Sequence, residues 1–89
     1  MYDNVEPFRK YLTNTEYLNN GVRHVYTFEN GYGASVIKHD YSYGGRDGLW
    51  ELAVLEGEEL CYSTSITDDV IGHLTWTNVE KILGEIKLL

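Results

Sequence analysis

Eighty-nine residues, a net charge of −7 and a single cysteine exclude a second domain, an internal disulfide and a basic stripe for gripping a phosphate backbone. Apolar content of 43%, with eight Tyr, two Trp and two Phe, predicts a packed core built on large side chains rather than a disordered chain. No apolar run approaches the roughly 18 residues of a membrane span, and no charged-then-apolar leader opens the sequence, so the expected compartment is the reducing cytoplasm.

Residues 4 to 18 carry helical periodicity, with Val5, Phe8, Tyr11, Leu12 and Leu18 roughly on one face. Asn4 is a candidate cap, and Pro7 is tolerated only in a first turn. Thr13, Asn14 and Thr15 are poor helix formers, so the predicted helix stops near Leu12. Residues 1 to 20 read as a loosely attached helical segment of one domain spanning 1–89, and Asn19-Asn20-Gly21 as a turn.

Residues 22 to 29 alternate. Val22, His24, Tyr26 and Phe28 share one face, Arg23, Val25 and Thr27 the other. Asn30-Gly31 follows and predicts a type I′ hairpin, which needs positive φ at both central residues, with residues 32 to 39 as the partner strand. Three glycines among residues 40 to 48 make this stretch a long loop with no regular element. Residues 49 to 55 are nearly all apolar and predict a central strand. Glu56-Gly57-Glu58-Glu59 is a turn and residues 60 to 65 a fourth strand, completing an antiparallel meander. Thr67-Asp68-Asp69 reads as a helix start that Gly72 ends. Thr77 with Glu80 reads as a capping box, and Val79, Ile82, Leu83 and Ile86 recur at helical spacing. The expected fold is therefore α+β: a four-stranded antiparallel meander, a C-terminal amphipathic helix on one face, and a short N-terminal helix.

No motif carries catalysis or a cofactor. His24, His39, His73 and Cys61 show no ligand spacing such as C-x-x-C or H-x-x-x-H. The hairpin brings His24 and His39 towards each other, which reads first as a cross-strand polar pair. Cys61 has no Lys or Arg within ten residues of it in sequence and reads as a small buried apolar residue. Asp68 and Asp69 are explained by a helix start, and Glu56, Glu58 and Glu59 by a solvated turn. Gly44-Gly45-Arg46-Asp47-Gly48 matches no phosphate-binding pattern.

The loop itself is the candidate site. Tyr41, Tyr43, Arg46 and Trp50 cluster with Asp40 and Asp47, and Tyr, Trp and Arg are the residue types enriched in binding hot spots. The bland alternative has the tyrosines covering the sheet edge, Trp50 in the core and Arg46 paired with Asp47 or Asp40. The candidate protein-binding residues are Tyr32, Tyr41, Tyr43, Arg46 and Asp47, with Tyr32 expected near the loop.

The runs Asn30-Gly31-Tyr32-Gly33-Ala34-Ser35-Val36, Ser42-Tyr43-Gly44-Gly45, Gly48-Leu49-Trp50-Glu51-Leu52-Ala53-Val54 and Ile66-Thr67-Asp68-Asp69-Val70-Ile71-Gly72 resemble short hypothetical proteins of tailed bacteriophages, over roughly residues 22 to 88. That resemblance brings no assigned site residues. It implies a phage source and action in the cytoplasm of an infected bacterium, where small acidic phage proteins often block a host protein such as a CRISPR effector or restriction enzyme. The expected function is a non-enzymatic accessory protein, without cofactor or metal, that occludes a host bacterial protein. It would bind no nucleic acid directly, though its acidic surface could mimic one. The alternatives are a virion or assembly component acting by self-association as a homodimer, and a small enzyme or metalloprotein using His24, His39 or Cys61.

Overall fold

The computed structural model describes residues 8–61, 64 and 70–89. Leu12–Leu18 (β1), Gly21–Thr27 (β2), Tyr32–Lys38 (β3) and Trp50–Glu56 (β4) form an antiparallel meander. Glu59–Leu60 (β5) and Ile71–Leu74 (β6) then share the outer edge of β4. β5 pairs with its end at Leu55 and Glu56, and β6 with its start at Trp50 and Leu52. Helix Trp76–Lys87 (α1) packs on one face. The α+β class stands, but among the described residues the sheet has six strands rather than four.

The N-terminal helix is corrected. Arg9–Tyr11 is a single 3₁₀ turn, and Leu12–Leu18 is a strand. Thr13, Asn14 and Thr15 weaken helix and tolerate an extended backbone. Asn19 (φ 49) and Asn20 (φ 63) are both left-handed, the conformation of a two-residue I′ hairpin. That turn sets Leu18 opposite Gly21 and Thr15 opposite His24. The segment near residue 20 is therefore part of the sheet rather than loosely attached. Asn4 and Pro7 lie outside the described residues.

The hairpin at Asn30-Gly31 is present with a different turn. Only Gly31 is left-handed, at φ 89. The Gly31 N–H donates to Phe28 O (3.2 Å) and the Phe28 N–H to Tyr32 O (2.8 Å). This is a three-residue loop ending in a glycine bulge. Asn30 keeps its side chain for other work. Its Oδ1 accepts from the Tyr32 N–H at 2.9 Å. Its Nδ2 donates to Ile86 O (2.9 Å), Lys87 O (3.1 Å) and Leu89 O (3.2 Å). The β2–β3 turn thereby holds carbonyls of the last turn of α1 and of the terminal Leu89, helix-end groups that need partners from outside the helix ladder.

Tyr26, Ala34, Val36, Leu52 and Val54 point from the sheet into one core with Val79, Leu83 and Ile86 of α1. The three helix residues are fully buried, a gross gain of roughly 5–9 kcal/mol. That is comparable to the whole net stability of a small domain, so the sheet depends on its helix. The helix cap sits two residues earlier than expected. Thr75 is the N-cap, and its Oγ1 accepts from the Asn78 N–H at 3.2 Å. Asn78 rather than Glu80 completes the capping box, and Glu80 instead accepts from Trp76 Nε1 at 3.1 Å.

Of the predicted fourth strand over residues 60 to 65, only Leu60 is in a strand among the described residues, together with Glu59 from the predicted turn, and residues 62, 63 and 65 lie outside the described set. So does the predicted helix start at Thr67. Gly72 lies inside β6 instead of ending a helix. No helix among the described residues is long and apolar enough to cross a membrane.

Candidate functional site

The loop between β3 and β4 is held by its own backbone. Ser42 is its hub, only 9% exposed. Its Oγ accepts from the His39 N–H and donates to His39 O, both at 2.9 Å. Bonds from Gly45 N–H to Ser42 O (3.1 Å), Asp47 N–H to Gly44 O (3.0 Å) and Leu49 N–H to Gly44 O (2.9 Å) close successive turns. Residues Gly45–Asp47 form a short 3₁₀ turn, a regular element the glycine count argued against. Gly44 (φ 89) and Gly48 (φ 79) flank it in the left-handed region, which other residues rarely enter. Gly45 is required for a different reason: a Cβ there would stand 1.9 Å from His39 O.

Three neighbours pin the loop from outside. The Asp40 N–H donates to Asn19 O (3.0 Å), and Asn20 Nδ2 donates to Asp40 Oδ2 (2.8 Å). The Tyr43 N–H donates to Glu51 Oε1 (2.9 Å). The His73 N–H of β6 donates to Tyr43 O (3.1 Å), and Gly72 lies directly against Tyr43 Cβ. His39 Nδ1 accepts from the Tyr41 N–H at 3.1 Å. On this braced backbone Tyr41 is 76% and Tyr43 61% exposed. Arg46 and Asp47 are exposed on the 3₁₀ turn beside them. Arg46 also borders an open hollow of about 800 Å³, shared with Lys38, His39 and the β1–β2 turn.

Tyr41, Tyr43, Arg46 and Asp47 are thus together, and Tyr32 is not. Tyr32 begins β3 opposite Glu56 and packs against the core. The loop follows Lys38 at the other end of that strand, roughly 20 Å away at 3.3 Å per residue. Trp50 also leaves the cluster. It points to the helix side, 5.0 Å from Trp76 and 5.8 Å from His24 between ring centroids, with Lys38 Nζ 4.7 Å from its centroid. Asp40 is engaged by Asn20, not by Arg46.

The histidines do not converge. Val22 pairs with Lys38, which sets His24 opposite Val36 and leaves His39 beyond the strand. His24 Nδ1 instead meets Thr15 Oγ1 at 3.1 Å. His73 is exposed and left-handed at φ 56, and Cys61 is buried in the core. No three His, Cys, Asp or Glu side chains come together as metal ligands among the described residues.

A second hollow, of about 530 Å³, lies on the helix-bearing face. Thr15, Tyr17, His24, Trp50 and Trp76 wall it, Tyr26 and Leu12 contribute apolar surface, and Arg9 borders it. Sequence reasoning missed this site because it ended a helix near Leu12 and assigned no strand to the residues after it, where Leu12–Leu18 is a strand. The signal available was the i, i+2 spacing of Thr15 with Tyr17 and of His24 with Tyr26, which puts each pair on one face of a strand. Comparison of the chain with protein-family models, with curated proteins and with solved structures finds no match.

Proposed function

We propose that this chain is a non-enzymatic binding protein whose contact surface is Tyr41, Tyr43, Arg46 and Asp47. The observation that carries the reading is the pairing of high exposure at both tyrosines with a loop backbone braced by hydrogen bonds, including those of the Tyr41 and Tyr43 N–H groups. A rigid exposed aromatic has already lost most of the freedom that binding would remove, so its buried area converts efficiently into affinity. The net charge of −7 and the resemblance to phage proteins support a partner with a basic, nucleic-acid-binding surface. On this reading the partner is a host defence factor, the site of action is the host cytoplasm, and the mechanism is occlusion. The test is affinity capture from lysates of candidate hosts, followed by titration of the purified partner. Replacing Tyr43 and Arg46 with Ala should weaken binding by about 30-fold or more while the fold is kept. Unchanged affinity in that folded variant refutes the surface.

Self-association is the second reading, favoured by β1. This seven-residue strand forms one edge of the sheet. With Leu18 and Gly21 paired across a two-residue turn, alternation directs the backbone groups of Tyr17 and Thr15 away from β2. Such an edge is a template for another strand. Light scattering of the purified chain decides: a stable dimer lost on Thr15→Pro supports it, and a monomer at high micromolar concentration rejects it.

A further inference from the structure

Two Asn-Gly pairs lie at the tips of hairpins, Asn20-Gly21 and Asn30-Gly31. An asparagine before glycine is open to attack on its own side-chain amide, because a following residue without Cβ leaves its backbone nitrogen accessible. Both asparagines are exposed, but they are held differently. The Asn30 amide is fixed at both ends: Oδ1 by the Tyr32 N–H, and Nδ2 by carbonyls at the end of α1. The Gly31 N–H is engaged by Phe28 O at 3.2 Å. Asn20 makes a single side-chain hydrogen bond among the described residues, from Nδ2 to Asp40 Oδ2 at 2.8 Å. Its turn closes β1, an edge strand whose residues are mostly exposed. The Leu18–Gly21 end of that hairpin therefore frays at lower cost than a turn clamped to a helix. Packing also retains the reactive glycine, since a Cβ on Gly21 would collide with Lys38 O.

We propose that Asn20 is a site of spontaneous deamidation, that Asn30 is protected from it, and that the product at position 20 releases the tyrosine loop from the β1–β2 turn. In the frayed turn the Gly21 nitrogen attacks Asn20 Cγ. A bond forms between them, the Cγ–Nδ2 bond breaks, and Nδ2 leaves as ammonia with the proton given up by Gly21. Water then opens the cyclic imide at either carbonyl, leaving aspartate or isoaspartate. When the hairpin closes again, the new carboxylate faces Asp40 across the gap that the amide had bridged, so repulsion replaces a hydrogen bond. The tyrosine loop starts at this point: the Asp40 N–H donates to Asn19 O at 3.0 Å, and Tyr41 and Tyr43 follow. The inference holds whether or not that loop binds a partner.

The full chain is incubated at mildly alkaline pH, which helps the attacking nitrogen lose its proton, and is then mapped by mass spectrometry. Tryptic cleavage after Arg23 puts the two pairs in separate peptides, and fragment masses locate each conversion. The expected result is conversion at Asn20 about tenfold faster than at Asn30 in the folded chain, with similar rates at both in urea. Equal rates in the folded chain, or a faster rate at Asn30, overturn the site. A rate ratio that urea leaves unchanged overturns its structural cause. Hydrogen exchange tests the release. Asn20→Gly keeps the left-handed turn and drops the side-chain bond without adding charge. Asn20→Asp should speed exchange of the Asp40 amide about threefold or more beyond Asn20→Gly. Exchange no faster in Asn20→Asp than in Asn20→Gly refutes the release.

Discussion

Asn30→Ala tests the link between the β2–β3 turn and the end of α1. The Asn30 amide has two hydrogens for three carbonyls, at Ile86, Lys87 and Leu89, and its oxygen holds the Tyr32 N–H. Each bond is worth about 0.5–1.5 kcal/mol net. Asn30 is exposed, so water replaces part of what is lost, and a deficit of about 1–2 kcal/mol is expected. In a domain of this size that lowers Tm by about 5–15 °C, read by circular dichroism. Asn30→Asp keeps the acceptor for Tyr32 but sets a carboxylate against three carbonyl oxygens at the negative end of a helix. It should therefore be less stable than Asn30→Ala at pH 7, by a further ~0.5–1 kcal/mol. The introduced carboxyl is favoured protonated in the folded state, which raises its folded pKa above its unfolded one. The extra deficit is then absent below about pH 3.9 and grows as pH rises towards the folded value. Asn30→Asp matching or exceeding Asn30→Ala in stability at pH 7 would refute the tether.

The cap register gives a paired prediction. Thr75→Ala should lose about 1 kcal/mol, or about 4–8 °C in Tm, while Thr77→Ala stays within about 0.5 kcal/mol; equal losses in urea titrations would place the helix start elsewhere. Gly72→Ala puts a Cβ 2.5 Å from Tyr43 Cβ, forcing β6 or the loop to move, with an expected loss of about 1–3 kcal/mol. An unchanged Tm in that variant would show that the tyrosine loop does not rest on β6.

What the sequence revealed depends on how local each signal is. The helix stripe at Val79, Leu83 and Ile86 and the alternation around Tyr26 are dictated within the segment, and both were legible. Residues 12 to 18 were not, because an edge strand with only Leu12 and Thr15 partly covered carries no clean alternation. Its strand character comes from pairing with β2 across Asn19-Asn20. Asn30-Gly31 correctly marked a hairpin, but the turn type yielded to a helix 56 residues away in sequence that needs the Asn30 amide. Gly72 was read as a helix stop because close packing against Tyr43 is invisible without the fold. For the site, composition alone marked Tyr41, Tyr43, Arg46 and Asp47, which adjacency keeps together. Tyr32 failed for the same reason in reverse: a whole strand separates it from them.

The order of elements along the chain also has a bearing on synthesis. A chain emerges N-terminus first, so β1 to β4 appear before the residues that cover them. Each hairpin can close locally, yet Tyr26, Val36, Leu52 and Val54 stay bare until Val79, Leu83 and Ile86 arrive. During that interval the nascent sheet presents a greasy face and an open edge at once, the combination that invites misassociation. A ribosome stalled before Trp76 would hold a sheet needing a chaperone's shelter, and release of α1 would end that need.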